Sequence, residues 1–110
     1  MRPGDIIITP IDNLLYHAGI YAGRNHIIHY CEGKVKYEKI DITKYKVVQL
    51  VHNPRHTLYQ ARIRIGEQSI YNIFTNNCWH FVFTCAFDDK NALDWMECVR
   101  QKYNVIMSNK

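Results

Sequence analysis

Two apolar runs rich in β-branched and aromatic residues, Tyr16–Ala22 (YHAGIYA) and His26–Cys31 (HIIHYC), are separated by only Gly23, Arg24 and Asn25. Strand formers on either side of so short a Gly/Asn break read as a β-hairpin. Loop length fixes the register of a hairpin, and the parity of that register decides which side chains share a face. With a three-residue loop, Ala22 pairs with His26 and His29 lies opposite Gly19. His17 is then the diagonal neighbour of His29 on the same face, roughly 5–8 Å away. A loop of even length would send the two histidines to opposite faces. Gly19, lying between them, leaves space beside both rings.

The rest of the chain follows strands first, helices second. Asp5–Thr9 (DIIIT) is a β-branched run between the turn formers RPG and PIDN, and reads as a strand. Lys34–Ile40 and Lys46–Val51 are further strands, the first alternating charged with apolar residues as a half-exposed edge does. Asn53–Gly66 reads as a helix: Asn53 caps it, Pro54 fits its first position and Gly66 can end it, although its β-branched later part allows an earlier stop. Ser69–Phe74 is a short extended run. A second helix starts near Cys78 and runs to about Phe87, capped by Asn76 or Asn77. A third, amphipathic, covers Ala92–Tyr103. This order predicts an α+β fold in which residues 1–110 form one domain.

Composition narrows the function. The net charge of +4 comes from scattered basic residues, so nucleic acid is not an expected partner, while weak attraction to anionic lipid is. The N-terminal run MRPGDIIITP has no signal-peptide pattern, and no apolar run approaches the roughly 20 residues of a membrane span. Four cysteines, at 31, 78, 85 and 98, show no CxxC spacing and suit reduced thiols in a cytoplasmic setting.

Chemistry concentrates at Thr75–Val82 (TNNCWHFV). A cysteine in the first turn of a helix meets unpaired N–H groups and the positive end of the helix dipole, which favour thiolate. The same amides can hold an oxyanion, making Asn77 and Trp79 candidates for cap and oxyanion positions. A thiolate also needs a histidine to hold and return its proton. Of six histidines, His17 and His29 form the informative pair, one as base and the other orienting it. His80 stands two residues from Cys78, off its helical face, and reads as structural or surface. Two other readings stay open on the residues alone. Cys78 can be a buried apolar side chain, and HIIHYC with CWH can supply zinc ligands. Cys31, Cys85 and Cys98 read as packing or surface thiols.

PGDIIITPIDNLLYHAGIYAGRNHIIHY resembles the H-box of the lecithin:retinol acyltransferase-like family, in which PGD precedes a histidine and a second histidine follows twelve residues later, as His17 and His29 do here. NNCWHFV resembles the family's NC box, usually NCEHFV. The likeness covers residues 3–30 and 75–83. It departs from the pattern at Trp79, which replaces a glutamate, and at Ala18, where cellular members often carry tryptophan. The family lies in the NlpC-type papain-like superfamily, in circularly permuted form. It includes cellular phospholipase A and acyltransferase enzymes and a viral branch, the picornaviral H-box/NC proteins. The resemblance implies an antiparallel sheet packed on helices, with Cys78 as nucleophile, His17 as general base and His29 as third member. It implies acyl transfer from a phospholipid or other acyl ester through a Cys78 thioester, with no metal and no cofactor. Likeness to the viral branch instead implies a non-catalytic module that recruits host proteins. Peripheral membrane contact fits the enzyme reading.

Overall fold

The structure, a computed structural model, describes residues 1–11, 16–68 and 78–87. Its order is β1 (Ile6–Pro10), β2 (Tyr16–Gly23), β3 (His26–Cys31), β4 (Lys34–Lys39), a 3-10 turn (Ile42–Lys44), β5 (Lys46–Val47), α1 (Pro54–Ile63) and α2 (Cys78–Ala86). The five strands form one antiparallel sheet in the order β4-β3-β2-β1-β5. The fold is α+β. The extended run at Ser69–Phe74, the caps Asn76 and Asn77, and the helix expected at Ala92–Tyr103 lie outside the described residues.

The β2–β3 hairpin keeps the expected parity by a different device. Its turn has two residues, Arg24 and Asn25, both at positive φ (53° and 63°), and Gly23 rather than Ala22 faces His26. Two positive-φ residues match the right-handed twist of the strands. The register then shifts between Tyr21 and Gly23, a bulge that absorbs one residue, so Tyr21 pairs with Ile27 and Ile20 with Ile28. An even turn plus a one-residue bulge has the parity of an odd loop, and His17 and His29 stay on one face.

Each face of the sheet has its own cover. Ile6, Ile8, Ala18, Ile20, Ile28, Tyr30 and Val35 pack under the helices with Trp79, Phe81, Val82 and Phe83. On the other face Ile7, Tyr21 and Ile27 form a smaller cluster with Ile40, Ile42, Tyr45 and Val47. Both sides of the central strands are thus apolar, which explains the unbroken isoleucine runs at 6–8 and 27–28. β5 is shorter than the expected Lys46–Val51: only Lys46 and Val47 pair with β1, and Val48 adds one amide bond to the Ile6 carbonyl at 2.8 Å.

α1 begins as its sequence dictates. The Asn53 side chain accepts from the amides of Arg55 (3.1 Å) and His56 (3.2 Å), and Pro54 takes the first turn. The helix stops at Ile63, three residues before Gly66. Gly66 turns at φ +92° so that residues 66–68 run back along β4, exchanging amide bonds with Val35. That strap occupies the sheet edge. Gly4, at φ +97°, lets the N-terminal turn lie against α1: a Cβ there would sit 2.1 Å from the Pro54 carbonyl oxygen. α2 is apolar nearly all round and almost wholly buried, as such a helix must be. Arg64 ties it to α1 by donating to Thr84 Oγ1 at 2.6 Å and lying over the Phe81 ring.

Candidate active site

The site lies where the β2–β3 ladder stops. Pairing runs from Gly23–His26 to Ile20–Ile28. Tyr21 donates its amide to Asp5 on the β1 side, and the alternation of an antiparallel ladder gives β1 the amides of Gly19 and His17 as well. Ala18 therefore turns its N–H the other way, toward β3. There it lies near enough to the sulfur of Cys78, the first residue of α2, to pull the thiol pKa down. The backbone N–H groups of Trp79 and Cys78 act on the same thiol in the same direction. The first turn of the helix thus meets the open end of the hairpin, and a thiol on the helix-covered side reaches the strand that carries His17.

His17 and His29 join on the opposite face. His17 Nε2 lies 2.7 Å from His29 Nδ1, with the rings edge-on at 73°. Gly19 makes this possible: a Cβ would stand 2.4 Å from Ile27 Cδ1 and 3.1 Å from His29 Cβ. His29 is 6% exposed, and its Nε2 lies 2.6 Å from Glu38 Oε1. His17 and Cys78 line one cavity of about 500 Å³, together with Ile11, Tyr30, Cys31 and the Glu32–Gly33 turn.

Electrostatics correct one expectation. Burial pushes the Cys78 thiol up from its ordinary value, against the pull of the three amides. The thiolate favoured by the helix terminus is outweighed because the sulfur sits in an apolar wall. His17 is pushed down to about 4, first by burial, then by His29, with Glu38 acting the other way. Near neutral pH the cavity is lined by an uncharged thiol and an uncharged imidazole.

Other expected residues fall as follows. The Trp79 indole is 2% exposed, stacks on Phe83 and gives its Nε1–H to the Tyr16 carbonyl at 3.2 Å. Phe81 is buried too, so neither forms a lipid-facing surface beside Cys78; only the Trp79 backbone reaches the sulfur. His80 is half-buried on α2. Cys85 is buried, and burial raises its thiol to about 12. Cys31 lines the cavity with Cys78. Asn77 and Cys98 lie outside the described residues. Among the described residues no three His, Cys, Asp or Glu side chains cluster closely enough to hold a metal ion. Glu38 was missed by sequence reasoning. The signal was the Glu32-Gly33 turn, which sets Cys31 against Lys34 and so places Glu38 diagonally from His29 on the same face.

The family model for lecithin retinol acyltransferase matches residues 31–91, more than half of the chain. The chain belongs to the lecithin retinol acyltransferase family. The matched stretch of this lecithin retinol acyltransferase-family protein includes Cys78 and Glu38 and begins after His17 and His29, so the two histidines join the site on geometry. No curated protein matches the chain. Membership places it among acyltransferase- and phospholipase-type proteins. Among the described residues, no helix of this family member is long and apolar enough to cross a membrane.

Proposed function

We propose that this protein is a thiol-dependent acyltransferase or phospholipase A-like enzyme that takes a fatty-acyl group from a phospholipid through a thioester on Cys78. One observation carries the reading: Cys78 and His17 face the same largely apolar cavity while His17 is held by His29. The cavity volume is in the range of small-ligand sites and accommodates part of an acyl chain. His17 takes the proton of the Cys78 thiol as sulfur attacks the ester carbonyl. The N–H groups of Ala18 and Trp79, already aimed at the sulfur, lie beside the developing oxyanion. Collapse expels the lysophospholipid alkoxide, which receives the proton from His17. Water or an amine or hydroxyl acceptor then gives a proton to His17, attacks the thioester and releases the Cys78 thiolate, which is reprotonated. Substrate reaches the cavity from a peripherally contacted membrane.

A second reading has one observation in its favour. The apo site holds a protonated thiol and an uncharged histidine, the state expected of a retained scaffold. Under it, the protein is a non-catalytic module that binds a host protein.

Incubation with phosphatidylcholine vesicles, followed by intact-mass spectrometry, separates the two. The expected result is a hydroxylamine-sensitive acyl adduct on Cys78, absent from folded Cys78→Ala and His17→Ala variants. Folded wild-type protein that forms no adduct and releases no fatty acid between pH 6 and 9 defeats the enzyme reading.

A further inference from the structure

Glu38 does not belong to the cysteine–histidine set that the sequence suggests, yet it ends a chain of short contacts that starts at His17. It enters from the edge strand β4, where it faces Ile27 while Lys36 faces His29. Its side chain is about half exposed. The other charged and titratable groups around this chain are accounted for. Lys36, on the same face, is tied to Glu32. The Tyr45 phenol is pushed up by burial and by Glu38. Cys31, next on the face of β3, is pushed up by burial.

A carboxylate only accepts hydrogen bonds, so at 2.6 Å from Glu38 Oε1 the His29 Nε2 must carry the proton. A neutral His29 then has a bare Nδ1, which can only accept. At 2.7 Å from it, His17 Nε2 must in turn donate. A neutral His17 is left with its lone pair on Nδ1, the one unprotonated ring nitrogen of the pair not already engaged in this chain. Without the carboxylate the chain has no fixed direction. His29 could then carry its proton on Nδ1 and turn His17 Nε2 into the acceptor, which takes the lone pair away from Nδ1.

We propose that Glu38 is a positioning residue that orients the His29–His17 pair so that His17 Nδ1 is the basic nitrogen offered to the Cys78 thiol. When His17 takes the thiol proton, its Nε2–H stays on His29 Nδ1, and the new positive charge is balanced through His29 by Glu38. No proton leaves Glu38 or reaches it. The role of the pair in thiol chemistry rests on the enzyme reading above; the direction of the hydrogen-bond chain does not.

Nitrogen-15 NMR of the ring nitrogens in the full chain tests this without any substrate. At pH 7 the wild type is expected to show both His17 and His29 as Nε2–H tautomers. In Glu38→Ala, His29 should move to a mixture of tautomers and the iodoacetamide reactivity of Cys78 should fall about tenfold, the low end of what losing a histidine's outer hydrogen-bond partner costs at metal sites. Glu38→Asp should recover most of both signals. An Nδ1–H tautomer for His29 in the wild type overturns the proposal, and so do unchanged tautomers in Glu38→Ala. An Nε2–H pair in a protein that forms no acyl adduct keeps the relay and removes the acyl chemistry. A reversed pair in a protein that does form the adduct removes the relay alone.

Discussion

Next to its turn and bulge the β2–β3 hairpin is paired and apolar, through Tyr21–Ile27 and Ile20–Ile28. Ile20, Ile27 and Ile28 are wholly buried there. At its open end the same strands stop pairing, histidines stand on the face that Tyr21 and Ile27 hold nearer the turn, and an amide of β2 is left to face the sulfur of Cys78. A paired ladder has no donors to spare, so a strand can serve a reacting group only where its ladder lapses. The lapse is tolerable because the turn end holds the strands together. One end supplies stability, the other spends backbone hydrogen bonds on the site.

The sharpest break of this division is Ile28→Ala. Ile28 is wholly buried under the helices, and truncation there should cost about 3–4 kcal/mol, within the range for such core deletions. Urea unfolding measures it. Because the Ile28 side chain lies on the helix-covered face, away from the His17 and His29 rings, the Nε2–H tautomers of the two histidines should survive in the fraction that remains folded. A loss below 1 kcal/mol would show that the turn end does not carry the hairpin.

A smaller effect comes from the open end and depends on pH. His17 is held at about 4 in the folded protein against about 6.5 in an unfolded chain. Between those values the unfolded state binds the extra proton, so stability is complete above pH 6.5 and is lost as pH falls toward 4. The loss from this residue at pH 4.5 should be about 2–3 kcal/mol. His52 is also pushed down by burial and adds to the loss in the same direction. Urea titrations of wild type and His17→Gln at pH 7 and 4.5 isolate the His17 share, since His52 and the carboxylates are common to both. Equal losses in the two proteins would mean that His17 is not a buried neutral group.

What the sequence made legible follows the same line. The hairpin, its parity and the start of α1 could be read because they rest on local signals: a Gly/Asn break and an Asn-Pro start. The two-residue turn with its bulge was not readable, because it has the same spacing as a three-residue loop. The shortness of β5 was hidden as well, since only contact with β1 decides how far pairing runs. At the site, the dipole at Cys78 is a local property and the burial opposing it is not, so the direction of its shift was misjudged. Glu38 looked like one charge among the alternating lysines of an edge strand, and its meaning appears only when β4 is laid beside His29.

The finest test of the comparison lies at Gly19, midway between the two ends. A Cβ there meets the end of the Ile27 side chain at 2.4 Å and the root of His29 at 3.1 Å. The clash is with the outer carbons of the Ile27 side chain, itself wholly buried, so the cost of Gly19→Ala to stability should be about 1–3 kcal/mol, the range for overpacking. The His29 Cβ is fixed to its strand and yields only with the backbone. The strain should therefore appear chiefly as displacement of the His29 ring, with loss of its 2.7 Å contact to His17. Urea unfolding and the ring nitrogen spectrum, taken on the same variant, give both numbers. A small stability change with the His17–His29 contact broken means that the scaffold end is insulated from the site. A variant that keeps the contact and loses several kcal/mol would mean that the two ends share one packing unit, and the division between them would not hold.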